Sequence, residues 1–479
     1  MDAKTRPQRG CGLKAAASLA ALLAFTAMPA AAQTERQKAL AGATVNILAV
    51  QMPQYAPLWA QIPEFEQQYG IKVNLEEASF DQMREKSLLD MSQGTGRYDI
   101  FTVDVMWLAE YVSAGYLHPL TQYVKDPELT AADYDVDDFL PRIYSGNGMW
   151  DGAIYNLPIG AGVTGHVFRK DMMEQAGLAV PEWYDKSWTT ERFMEAVEKL
   201  NNPDAGVAGY VSQPQRWFWG WTFTQLMHAF QTDETAGDEF VDENWNVTIN
   251  SPQNLEALKW YVGLAKYGPA GSANFGYPEM LSLYQQGKAA GALMYTEFVA
   301  GDLEDPRHAE ISGKNIYLHT AIGPHGKIDP WFGSWGLGIS RDSKNKEAAW
   351  TFMQWITHKN QSLKALKGGT APTRHSTYKS EEAKQYTPHY VGIYDFMLNT
   401  TNPDTRIRVP EWAEISDVMG LYGNQAWLGE ITPEEALTNM ESEIKAAFRR
   451  GGYYREGAKN PPQLWRDLSV YDAKPSSWK

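Results

Sequence analysis

The stretch TVNILAVQMPQYAPLWAQIPEFEQQYGIKVNLEEASFDQMREKSLLDMSQGTGRYDIFTVD, Thr44–Asp104, decides the fold. TVNILAV (Thr44–Val50) is a short apolar run of the kind that forms a buried strand. Leu58, Ile62 and Phe65 then recur at helical spacing, and Gly70 ends that run as a C-cap. IKVNLEE (Ile71–Glu77) alternates as a second strand. FDQMREKSLLDMSQGTG reads as a helix that stops in glycines, and YDIFTVD (Tyr98–Asp104) as a third strand. Strand–helix alternation of this kind predicts a parallel α/β sheet. Ligands of such sheets sit beyond the carboxyl ends of the strands. That places QMPQY (Gln51–Tyr55) and DVMW (Asp104–Trp107) on one rim.

Upstream, Lys4, Arg6, Arg9 and Lys14 precede the apolar run AAASLAALLAFTAM and then PAAAQ. A positive start, a short apolar run and the Ala30/Ala32 pair predict an export signal over residues 1–32. The run is too short to span a bilayer comfortably. Cys11 is the only cysteine and lies ahead of that run, so a mature chain free of disulfides and lipid is expected. Removing residues 1–32 takes the net charge from −15 to −18. An acidic exported protein is a poor partner for nucleic acid or an anionic membrane, and no membrane insertion is expected.

Downstream, helices are well punctuated. Ser251 and Pro252 open SPQNLEALKWYVGLAKYG. Ser343 is expected to cap SKNKEAAWTFMQWITH, and Thr432 with Glu435 to form a capping box ahead of the Leu437, Met440, Ile444 and Phe448 stripe. Within WFGSWGLGIS (Trp331–Ser340), WGLGIS (Trp335–Ser340) reads as a strand, and Gly333, Gly336 and Gly338 admit close backbone approach. Composition marks no border between domains.

Catalytic signatures are missing. Gly287-Lys288 lacks the rest of a phosphate loop, no HExxH occurs, and Phe332 replaces the first glycine of a GxSxG around Ser334. Asp133, Asp135 and Asp137 imitate a calcium loop, but Asp138 stands at the glycine position and Tyr144 at the closing glutamate. No cofactor or metal is expected. An exported carbohydrate-active enzyme with paired carboxylates remains the alternative reading, because such pairs need not be close in sequence.

FEQQYGIKVNLEEASFDQMREKSLLDMSQGTGRYDIFTVD, YVSAGYLHPL (Tyr111–Leu120) and NLP at Asn156 with VFRKDMMEQAGL ending at Leu178 together carry a resemblance. INSPQNLEALKWY, YQQGKAA, SWGLGISRDSKNKEAAWTFMQWIT and GGTAPTRHSTY (Gly368–Tyr378) extend it over nearly the whole mature chain. The sequence resembles extracellular solute-binding proteins of carbohydrate ABC importers, the maltose-binding-protein-like group. The resemblance implies a periplasmic α/β protein of two hinge-linked, discontinuous lobes. The first lobe would take residues 33–160 and 296–345, the second 161–295 and 346–479. It further implies a monomer that closes on a small carbohydrate or polyol and docks on the transmembrane permease of the importer.

A sugar offers apolar C–H faces to aromatic rings and hydroxyls to carboxylates, amides and arginine. Family position and that chemistry together nominate Gln51 and Gln54, which otherwise belong to a solvated loop. Asp104 and Trp107 follow the third strand, Asp104 being a hydroxyl acceptor or a helix cap. In QRWFWGW, Trp217 or Trp219 is expected to face the cleft and Trp221 the core. Tyr295 and Glu297 are nominated near a crossing between lobes, and Arg374 as a ligand clamp or an ion-pair partner. Trp335, with Gly336 beside it, is the expected stacking platform or else a core plug, and Trp331 a lip or packing residue. Tyr295-Thr296-Glu297 stands where the family's oligosaccharide binders often carry tryptophan, which favours a smaller, hydroxyl-rich ligand.

Overall fold

The computed structural model describes residues 33–183, 185–295, 303–329, 331–386 and 390–478. The expected export segment and Glu297 lie outside the described residues. Eight strands make the main sheet: β1 Thr44–Val50, β2 Lys72–Ala78, β3 Ile100–Asp104, β4 Leu117–His118, β5 Asn156–Arg169, β6 Gly291–Tyr295, β7 Asn315–His319 and β8 Phe332–Ser340. Their order is β2-β1-β3-β8-β5-β6, with β4 beside β8 and β7 beside β5.

The parallel start holds. Apolar β1 lies between β2 and β3 and pairs in parallel with both. Gly70 and Gly94, at φ 66° and 62°, end the two intervening helical segments in the left-handed region that favours glycine. The first of these segments is not one helix: it breaks into Ala56–Trp59 and Ile62–Tyr69. Pro63 lacks the amide that would bond Trp59, so the first helix cannot continue.

Beyond β3 the sheet turns antiparallel. β8 pairs with β3 on one side and β5 on the other, so Trp335 faces Asp104 in one register and Gly160 in the other. β5 is buried along its whole length. Its first half pairs with β8 and its second half with β6 and β7. Leu157 and Ile159 belong to one hydrophobic core, and Phe168 to another.

The first core gathers β1, β3, Trp107, Trp335 and Leu337 with Ala349, Phe352 and Ile356. The helix Lys346–Ile356, just past the expected border at residue 345, therefore packs with the elements before that border. Ser343 does not cap it; its hydroxyl donates to Asp99 Oδ1 at 2.6 Å, and Asn345 stands at the cap. The second core holds Phe193, Trp219, Tyr261, Ile415 and Leu437. Its helices begin as expected, Ser251 accepting from the Asn254 amide and Thr432 closing its box with Glu435. The chain end returns, Trp465 lying in the second core and Tyr471 in the first. Among the described residues no helix is long and apolar enough to cross a membrane.

Candidate functional site

The carboxyl end of β3 delivers Asp104, and the turn after it delivers Met106, which packs against both cores. Asp104 Oδ1 accepts from the Met106 amide at 2.9 Å and closes a turn ahead of the helix Leu108–Ser113, whose N-cap position is Trp107. Its carboxyl is buried, which pushes its pKa up to about 6 against the pull of Arg406 and the Met106 amide.

Beside Asp104 stands an aromatic wall. Trp335 meets Trp107 edge-on at 5.3 Å and Phe80 edge-on at 5.6 Å. Phe80 also lies 5.4 Å from Trp217, which is half-buried on the helix Arg216–Ala229. First-core and second-core helices thus meet through this ring pair. Trp221 of the same helix lies 5.3 Å from Trp331, and the Arg406 guanidinium sits over the Trp331 ring at 4.9 Å.

Asp329 completes the cluster. Its Oδ1 accepts from the Trp331 amide at 2.9 Å and its Oδ2 from the Thr164 hydroxyl at 3.3 Å. Burial pushes its pKa up to about 7, opposed by His228, those donors and Arg406. The charge of Arg406 thus acts on both buried carboxyls, Asp104 and Asp329. Behind them His228 contacts Glu239 at 2.9 Å and the Thr405 carbonyl at 3.0 Å. Burial alone would lower the imidazole; the Glu239 carboxylate outweighs it and lifts the pKa to about 9, so His228 donates to both partners at neutral pH.

The remaining expected residues fall in different places. Gln51 is exposed at the end of β1. Gln54 is half-buried, its amide 3.3 Å from Met52 Sδ and its carbonyl accepting from Thr370. Tyr295 ends β6 opposite Thr164, the partner of Asp329.

Three nominations are corrected. Trp219 packs inside the second core against Tyr261 and Phe223, and its indole N–H donates to the Pro214 carbonyl at 2.7 Å, so it is a core residue. Gly336 serves packing: a Cβ there would lie 2.0 Å from Asn147 Oδ1 and 2.7 Å from the Leu157 carbonyl. Arg374 is wholly buried; it donates to the Thr357 and Asp135 carbonyls, pairs with Asp138, and lies on Phe139 at 3.8 Å. It is the ion-pair partner rather than the clamp. The same acids explain the imitation calcium loop, since Asp137 and Asp138 accept from Ser476 and Ser376.

Arg406 and Asp329 escaped the sequence reading. A signal was present for each. In DTRIR, charges alternate at Asp404, Arg406 and Arg408 in a stretch that enters an apolar helix. Asp329 stands two residues before Trp331, where a charge is costly unless it has partners.

The family model described as bacterial extracellular solute-binding protein matches residues 49–361. A mannitol-binding protein of Pseudomonas aeruginosa is 27% identical over 402 residues, spanning 78% of this chain and 85% of its own. A solute-binding protein of Agrobacterium radiobacter, solved with ribitol, superposes at a TM-score of 0.76 with 26% identity, covering 85% of this chain and 99% of that one. One from Agrobacterium vitis, solved with D-mannitol, superposes at 0.75 with 26% identity, covering 86% and 100%. The matched family and these proteins are binding proteins rather than enzymes.

Proposed function

Because the chain belongs to the bacterial extracellular solute-binding protein family, we propose that it captures a small neutral polyol or sugar outside the cytoplasmic membrane. It hands this ligand to the permease of an ABC importer. The observation that carries the reading is the convergence of Asp104, Asp329 and Arg406 beside the Trp331 and Trp335 rings. Adjacent hydroxyls donate to carboxylates and accept from a guanidinium, and these charge-assisted bonds are the strong ones. C–H faces pack on the aromatic wall. The mannitol and ribitol named for the matched proteins agree with this chemistry.

The first lobe in this reading is built on the first core, with the helix Lys346–Ile356 included; the second lobe is built on the second core. β5 and the irregular segment 401–409 run between the two cores and act as the hinge, and ligand bridging the lobes favours the closed form. Gln51 and Gln54 stand at the outer rim, beyond the carboxyl end of β1. Residues 1–32 direct export to the periplasm, where the mature monomer works.

Isothermal calorimetry against D-mannitol, ribitol, maltose and glucuronate tests the reading. Micromolar binding of at least one neutral compound is expected, about 8 kcal/mol of binding free energy. Binding of glucuronate alone, or turnover of any member of the panel, overturns it.

A further inference from the structure

The segment 401–409 alternates its charges, and the alternation separates two jobs. Asp404 and Arg408 turn to the first core. Arg408 Nε donates to Asp404 Oδ1 at 2.8 Å, and its two terminal nitrogens donate to the Met149 and Gly146 carbonyls at 2.7 Å each. Tyr471 reaches the same carboxylate from the far end of the chain, its hydroxyl donating to Asp404 Oδ2. Its ring is fully buried in the first core. The next residue, Asp472, pairs with Arg142 at 2.7 Å, and Arg142 also donates to the Thr401 carbonyl at 2.8 Å. The opposite flank is held by His228 on the Thr405 carbonyl. Arg406 lies between these anchors, over Trp331.

We propose that Tyr471 is a positioning residue for Arg406: the C-terminal strap pins Asp404, and this presets the guanidinium that meets the ligand. The inference rests on the ligand site proposed above. Its physical basis is the burial of Asp404, whose carboxylate is 2% exposed at the residue level and depends on Tyr471 and Arg408 for donors. Losing one donor leaves a buried acceptor that must be met by moving the segment, because an unmet buried partner is expensive. A guanidinium displaced by a fraction of an ångström no longer fits the ligand it was aligned for.

The test is a double-mutant cycle on the full mature chain, with D-mannitol and ribitol as probes in calorimetry. Tyr471→Phe keeps the ring and removes only the hydroxyl; about tenfold weaker binding is expected. In an Arg406→Ala background the same change should weaken residual binding by less than about twofold, because coupled residues are not additive. A purely structural contribution would persist undiminished in that background and would overturn the proposal, as would a Tyr471→Phe protein that binds like the wild type. Hydrogen exchange of the ligand-free protein gives a second readout: faster exchange confined to residues 403–408 is expected, and unchanged exchange refutes the pinning. If the wild type binds neither probe while Tyr471→Phe loosens that segment, the ligand reading fails and the pinning stands. Asp404→Asn, which preserves shape, replaces Tyr471→Phe in every arm if the latter does not fold.

Discussion

Arg374 and Arg406 are both buried and both lie on an aromatic ring, yet they are held in opposite ways. Arg374 spends its donors on the carbonyls of Thr357 and Asp135, with Asp138 as its counter-charge. Its neighbours come from the loop 134–139 and the helix end at Thr357, and they close around it. Arg406 instead faces two carboxyls whose own ionisation is disfavoured by burial. Arg406 acts on both acids and the charged His228 on Asp329 as well, a mixture of donors and acceptors suited to a ligand rich in hydroxyls. The state of an arginine's partners, more than its burial, separates a structural site from a binding site.

The contrast can be broken most directly by substitution. Arg374→Met strands Asp138 and should cost about 3–5 kcal/mol in urea unfolding, with the folded fraction still binding its ligand within about twofold. Arg406→Met should do the reverse, weakening binding about 100-fold, close to 3 kcal/mol, with a much smaller loss of stability. If the two variants exchange these phenotypes, the assignment of the sites is wrong.

A second, smaller effect sharpens the picture across the two cores. The Phe80–Trp217 ring pair links helices that otherwise belong to different cores. Trp217→Ala should destabilise the protein by no more than about 1 kcal/mol, the usual worth of such a pair. In stopped-flow fluorescence it should speed ligand release several-fold, because it removes a contact between the two sides of the site. Unchanged release would show that the rings only pack.

The smallest effect concerns pH. Asp104 and Asp329 titrate in the fold at about 6 and about 7, above the ordinary aspartate value near 3.9. The folded chain therefore holds these protons more tightly than the unfolded one. Their contribution to stability is complete below about pH 4 and is lost as pH rises towards 7. Hydroxyls that donate to the carboxylates favour the ionised forms, so affinity should rise between pH 5 and 8 by about tenfold or less. The difference in melting temperature between the wild type and Asp104→Asn/Asp329→Asn, followed across this range with the calorimetric Kd, checks both signs. A flat difference would place these carboxyls in water.

Much of the first core was legible because its signals are local. Alternation and helical spacing mark β1 to β3 and the helix Phe80–Gln93, and glycine marks the helix ends at Gly70 and Gly94. Asp104 was legible for the same reason, being the last residue of a strand whose end faces the rim. Arg374 and Trp219 misled because residue type and family position say nothing of the partners already waiting for them, Asp138 and the Pro214 carbonyl. Arg406 was hidden because its two acids lie far off in sequence, at positions 104 and 329. The turn from parallel to antiparallel at β8 was equally invisible, since strand direction depends on which distant strand it meets.

The first core has a further consequence through its wiring. Its early strands are completed by late chain: Ser343 bonds Asp99 across 244 residues, and Trp355 bonds Gln68 across 287. Contacts this distant in sequence must close a long loop before they gain anything, and folding slows accordingly. A chain emerging from its start therefore exposes β1, β2 and β3 for as long as the last third of the polypeptide takes to arrive. Slow closure leaves that early apolar surface open to aggregation until the late chain covers it.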